Sequence, residues 1–169
     1  MVVVITGVSG SGKTTVGRAL ATSLTWMFYD SDDLHSPENI AQMARGEGLT
    51  DEQRQPWLWR VRDLIEQCVH REKNAVVACS ALRAQYRQVL ADGLPDVLFV
   101  FLNVDKDVAR ARLLARVGHF AGPELLGSQV EVLEPPSDAL VLDASLPVDR
   151  LVETAREYVQ SRGGGRDLV

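Results

Sequence analysis

The chain has 169 residues, 46% hydrophobic and 24% charged, with a formal net charge of −5. At roughly 100–200 residues per domain, this length predicts one domain around a single core, and the acidic balance argues against a nucleic-acid partner. No apolar run approaches the ~18 residues of a membrane span, and the two cysteines, Cys68 and Cys79, are too few for a disulfide framework and read as buried thiols of a reducing compartment.

The chain enters at once into a strand pattern with no basic region before it, so no signal peptide is expected. Val2–Ile5 is a β-branched run, read as a strand buried on both faces. After a glycine-rich turn, Val16, Leu20 and Leu24 recur at helical spacing. Trp26–Tyr29 reads as a second strand, stopped by Asp30-Ser31-Asp32-Asp33. A helix is expected over Pro37–Ala44, ended by Gly46 and Gly48. Thr50-Asp51-Glu52-Gln53 fits a capping box opening the next helix, and Pro56 inside it predicts a kink or two abutting helices. Ala75–Cys79 and Val97–Leu102 read as strands, Ala84–Ala91 and Lys106–Arg116 as helices. Ala139–Leu142 is the fifth strand and Pro147–Gln160 the closing helix. Residues 117–137, between helix and strand and containing glycine and proline, read as a mobile insert. Gly163–Val169, opening on three glycines, is expected to fray.

Strands alternating with helices predict a parallel sheet covered on both faces. Right-handed crossovers then bring the strands' carboxyl ends to one edge, where ligands of such sheets bind.

Gly7-Val8-Ser9-Gly10-Ser11-Gly12-Lys13-Thr14 fits G-x-x-x-x-G-K-[ST], between a predicted strand and a predicted helix. Glycines let the backbone curl so that N–H groups point at phosphate oxygens, and the helix start adds its positive dipole end. Lys13 is placed to reach the β- and γ-phosphates, the Thr14 hydroxyl to ligate Mg²⁺, and Thr15 to contact the α-phosphate. The expected nucleotide-binding set is therefore Gly7, Ser9, Gly10, Ser11, Gly12, Lys13, Thr14 and Thr15.

Asp30 and Asp32, at the end of the second strand, face this loop across the binding edge. Two carboxylates at this spacing can divide labour, one holding Mg²⁺ through water and the other accepting the proton of an attacking hydroxyl; Asp and Ser also form caps and turns. Arg110, Arg112 and Arg116 lie on the helix entering the insert, with Arg112 and Arg116 on one face. They could close over phosphates, or simply form a solvated face. Arg54, Arg83 and Arg87 are a separate set suited to an anionic second substrate. His35 and His119 have weaker claims, and Trp57 and Trp59 suggest packing. Asn103-Val104-Asp105 lacks the lysine of the guanine-reading motif, against a regulatory GTPase.

GVSGSGKTT (Gly7–Thr15), DSDDLH (Asp30–His35) and the blocks within Asn39–Leu58, Cys79–Arg87, Arg112–Phe120 and Leu125–Pro135 together resemble the gluconate kinase (gluconokinase) family of small P-loop kinases. The blocks run in family order to about Pro136. The chain differs from the usual pattern at Ser31 (usually Gly), Gln42 (commonly Lys), Gly48 (Pro) and Arg83 (Lys). It is more distantly similar to shikimate kinase, which has an Asp-x-Asp in the same place. The resemblance implies a P-loop NTPase three-layer α/β/α sandwich, a five-stranded parallel sheet with a helical lid insert, in one kinase domain over residues 1–162.

It also implies ATP-dependent phosphorylation of D-gluconate to 6-phospho-D-gluconate, in the cytoplasm, by a homodimer that uses Mg²⁺. The expected roles follow. Lys13, Asp32 and Arg116 are catalytic, and Asp32 orients the primary hydroxyl and takes its proton. Thr14, and Asp30 through water, serve the metal. Arg54, with His35, Arg83 and Arg87, reads the carboxylate and hydroxyls. Arg112 and Arg116 reach the phosphates when the lid closes, and the loop at Leu146 and Pro147 packs on adenine. Two other readings stay open: another small-molecule P-loop kinase, acting on shikimate or a nucleoside monophosphate, and a nucleotide-binding regulator without transfer activity.

Overall fold

The structure, a computed structural model, describes residues 1–115 and 122–163. Strand β1 (Val2–Thr6) leads through the glycine-rich loop into helix α1 (Lys13–Leu24). Strand β2 (Met27–Asp30) passes into a 3-10 turn (Ser31–Leu34), then α2 (Pro37–Ala44) and α3 (Asp51–His70). There follow β3 (Ala75–Ala78), α4 (Ala84–Ala91), β4 (Val97–Asn103) and α5 (Lys106–Leu114). Helix α6 (Glu124–Glu131), β5 (Leu140–Asp143) and α7 (Val148–Gly163) complete the described chain.

The strands form one sheet in the order β2-β3-β1-β4-β5, every neighbouring pair parallel. Central β1 is wholly buried because its β-branched side chains face a helix layer on each side. On one face Val2, Val4 and Val77 pack with Val61 and Ile65 of α3 and Leu90 of α4. On the other, Val3, Ile5 and Val100 meet Leu20 of α1 and Leu151 and Ala155 of α7. Each such aliphatic side chain contributes roughly 1.5–3 kcal/mol by leaving water. Cys68 and Cys79 are free, buried thiols, and burial pushes Cys79 up to about 12.

A third, smaller cluster positions the site. Val8 of the glycine-rich loop, Leu82, Ala109 and Leu113 of α5, and Leu126 of α6 pack together at the carboxyl edge of the sheet. The insert expected over 117–137 contains helix α6, anchored by Leu125 and Leu126, both nearly inaccessible to solvent.

The capping box at Thr50 forms as expected. Thr50 Oγ1 accepts from the Gln53 amide, and Gln53 Oε1 accepts from the Thr50 amide, a cap worth roughly 1 kcal/mol. Gln42 joins it, donating to the Gly48 carbonyl (2.9 Å) and accepting from Gln53 Nε2 (2.8 Å). Pro56 does not divide the helix: α3 runs unbroken from Asp51 to His70. The proline removes the amide that would serve Glu52, but Glu52 is exposed, so water can take its carbonyl, while Trp57 and Leu58 bury immediately afterwards. Helix α5 ends at Leu114, short of Arg116, which like Val117–Ala121 and Gly164–Val169 lies outside the described residues.

Candidate functional site

The glycine-rich loop needs glycine for definite reasons. Gly12, which caps α1, has φ +99, and Gly10 has φ +79, with a Cβ there falling 2.5 Å from the Ala109 carbonyl. The loop thus rests directly on α5, and any side chain at Gly10 would push them apart. Ser11 N–H and Lys13 Nζ both donate to the Val8 carbonyl, at 3.2 and 3.0 Å.

A cavity of about 380 Å³ opens over the loop, lined by Ser9, Gly10, Gly12, Lys13, Thr14 and Thr15. Asp32, Arg112 and Leu113 complete its wall. Two expected members are not at this surface. Gly7 lies at the base of the loop, where a Cβ would stand 2.8 Å from the Leu102 carbonyl, and Ser11 is 1% exposed beneath it; both shape the loop from below. Arg112 is on α5, the helix expected to carry it. Its Nη2 donates to the Ala144 carbonyl (2.8 Å), and Nη1 makes longer contacts to the Gly10 and Ser11 carbonyls. Arg110 is exposed and lines neither cavity, and Leu146 is a half-exposed residue of the turn after β5. Arg116 and His119 lie outside the described residues.

Asp30 ends β2 and does two things. Its Oδ2 accepts from the Thr14 hydroxyl (2.8 Å), and its Oδ1 accepts from the Asp32 amide (3.2 Å), capping the 3-10 turn. Asp30 thus caps the turn with one oxygen and meets the Thr14 hydroxyl with the other. The turn is held from α3: Trp57 Nε1 donates to the Ser31 carbonyl (2.7 Å), and the Trp57 ring stacks on His35 with centroids 4.6 Å apart and planes within 4°. Trp57 packs, as its type suggested, but it also fixes the turn that carries Asp32.

A second cavity of about 450 Å³ lies beyond Asp32, bringing together Asp32, His35, Arg54 and Arg83 of the expected set. Asp51, at the first position of α3, gathers the arginines. Its Oδ1 accepts from Arg54 Nη1 (2.9 Å) and the Tyr86 hydroxyl (2.6 Å), and its Oδ2 accepts from Arg83 Nη1 (2.8 Å). The Tyr86 hydroxyl, then the Arg83 and Arg54 charges, hold the Asp51 carboxyl below the usual carboxylate range. Arg54 is further fixed by donating to the Leu49 carbonyl (2.9 Å).

Arg87 is not in this cavity. It is 7% exposed, and its guanidinium donates to the Ala81 and Leu82 carbonyls at 3.0 and 3.2 Å. A buried cation this close to two carbonyls is consumed by them and supports the β3–α4 loop from behind. That loop is strained: Ala81, on the cavity wall, has φ +39.

Sequence reading missed Asp51, Tyr86 and Gln129 as site residues. Asp51 had a local signal, three positions before Arg54 on a helix. Gln129 stands in the Leu125–Pro135 block that carries the resemblance, but nothing local pointed to its contact, since its Oε1 accepts from the Ser9 amide (2.7 Å) across a separation of 120 residues.

Burial lowers His35 to about 4, with the Arg54 and Arg60 charges assisting and Asp32 opposing. A depressed histidine binds fewer protons folded than unfolded, so its contribution is full above pH ~6.5 and is lost as pH falls through about 4. With partial screening, the loss is on the order of 1–2 kcal/mol. His35→Phe keeps a ring on Trp57 but cannot protonate. Thermal midpoints of wild type and variant should therefore diverge from pH 7 to pH 4, with the wild type falling further; a gap constant with pH would refute this.

The shikimate kinase family model matches residues 9–122. The chain is 43% identical to a probable gluconokinase of Mus musculus, over 86% of this chain and 91% of that one. A solved sugar kinase from Janibacter sp. HTCC2649 superposes with a TM-score of 0.87 at 40% identity, covering 94% of each chain. A solved gluconokinase from Sinorhizobium meliloti 1021 gives 0.82 at 38% identity, over 95% of this chain and 91% of that one.

Proposed function

Because this chain belongs to the gluconokinase family of P-loop kinases, we propose that it transfers the terminal phosphoryl group of ATP to the primary hydroxyl of D-gluconate, giving 6-phospho-D-gluconate. One observation carries the reading: the cavity over the glycine-rich loop and the arginine-lined cavity share Ser9 and Asp32. A donor site and an acceptor site that meet at a carboxylate are what direct transfer between two bound molecules requires.

On this reading the loop amides and Lys13 hold the triphosphate, with Arg112, and from sequence Arg116, adding positive charge. Thr14 and Asp30, an oxygen-donor pair 2.8 Å apart, suit a hard cation, Thr14 as ligand and Asp30 through water. Mg²⁺ held there would neutralise phosphate charge during transfer. Asp32 orients the acceptor hydroxyl and takes its proton. Arg54 and Arg83 read the sugar-acid carboxylate, with Asp51 between them keeping two like charges side by side before the anion arrives. His35, kept neutral by burial, can hydrogen-bond a hydroxyl without adding charge. Leu146 and Pro147, on the turn after β5, would pack on the base. The family resemblance also supports a cytoplasmic homodimer; among the described residues no helix is long and apolar enough to cross a membrane.

Coupled ADP detection with an acceptor panel tests the reading. Gluconate should drive ADP release. Release with shikimate or a nucleoside monophosphate and none with gluconate would overturn it.

A further inference from the structure

We propose that Gln129 is a catalytic residue of the transfer, its side-chain Nε2 donating to the reacting end of the acceptor where the two cavities meet. The inference rests on the gluconate kinase reading and deepens it. Gln129 projects from α6, is half-buried and lines the acceptor cavity. Its Oε1 accepts from the Ser9 amide at 2.7 Å, and Ser9 belongs to both cavities.

The chemistry of that contact sets the direction of the side chain. A backbone N–H can only donate, so the carboxamide must present oxygen to Ser9 and nitrogen away from it. Nε2 carries two donors, and it donates to nothing among the described residues. The amide is therefore aimed beside the junction, on the acceptor side, with its donating capacity open to a ligand. Its backbone is held still: Leu125 and Leu126 bury the inner face of α6, and Leu126 packs against Val8 of the same glycine-rich loop. A donor fixed by packing and by its own second hydrogen bond is preorganised for oxygens that gain negative charge during transfer.

A purely structural alternative exists, in which Gln129 only ties α6 to the loop, and two variants separate the two roles. Gln129→Glu keeps an oxygen for the Ser9 amide but has no N–H. Gln129→Met has similar length and offers neither. Steady-state kinetics with gluconate, magnesium–ADP affinity and thermal midpoints are measured for each. Both variants should stay folded, bind ADP within about threefold of wild type, and lose about 100-fold in kcat, the usual cost of one such donor. The proposal is overturned if Gln129→Glu keeps kcat within about threefold of wild type, or if the loss in rate is matched by an equal loss in ADP affinity, which would mark charge repulsion of the nucleotide. Wild-type protein inert toward gluconate would sink the substrate reading instead; that control is read first, and the variants are then compared on whichever acceptor the panel identifies.

Discussion

Asp32→Asn is expected to lower kcat with gluconate by about 10²–10⁴-fold, the range for loss of a general base, while ATP binding changes little. The substitution is nearly isosteric. The turn that carries residue 32 is held through main-chain groups, the Asp32 amide on Asp30 and the Ser31 carbonyl on Trp57, so the fold should survive. What disappears is the carboxylate at the junction of the two cavities. An asparagine there can still orient a hydroxyl but cannot take its proton, so the loss should fall on kcat rather than on the KM for gluconate. Turnover within tenfold of wild type would remove Asp32 from the chemistry.

Lys13→Met should act on the other side of the transfer. Methionine copies the length of the stem without the ammonium group. The cavity over the loop then loses its mobile positive charge, and with it the stabilisation of oxygens on the phosphoryl group in flight. A fall in kcat of about 10²–10³-fold is expected, with weaker ATP binding, since lysine also attracts the ground-state triphosphate. The thermal midpoint should move by only a few degrees: Lys13 donates to the Val8 carbonyl at 3.0 Å, but that carbonyl also accepts from the Ser11 amide. A large loss of stability would mean that Lys13 serves the loop's own structure before it serves a nucleotide.

Locally encoded features were legible in the sequence. Helix α2 has the expected bounds because Ser36 caps its start, Pro37 opens it and Gly46 follows its end, all within a few residues of where they act; α4 also has the expected bounds, although its first amide, that of Ala84, donates to the distant Glu134 carboxylate. The glycine-rich loop and the Asp30–Asp32 pair were legible for the same reason as α2. What depended on distant packing was not. Helix α6 is too short to be stable alone and forms because Leu126 joins the cluster under the loop and Leu125 buries beside it. Pro56 was expected to kink α3 or to split it into two abutting helices; the helix is continuous, because burial of Trp57 and Leu58 offsets the lost hydrogen bond. Arg87 resembles Arg83 in sequence, and only the fold shows that one guanidinium is buried on carbonyls while the other reaches the cavity. The link between Ser9 and Gln129 joins segments that no local pattern connects.

The most direct test of the central claim is a crystal structure with magnesium, a non-hydrolysable ATP analogue and gluconate bound together. The triphosphate should lie over Gly10–Thr15, with the gluconate carboxylate on Arg54 and Arg83 and its primary hydroxyl within hydrogen-bond reach of Asp32. Gluconate bound outside the Asp32 cavity, or the terminal phosphate facing away from it, would contradict direct transfer at this junction.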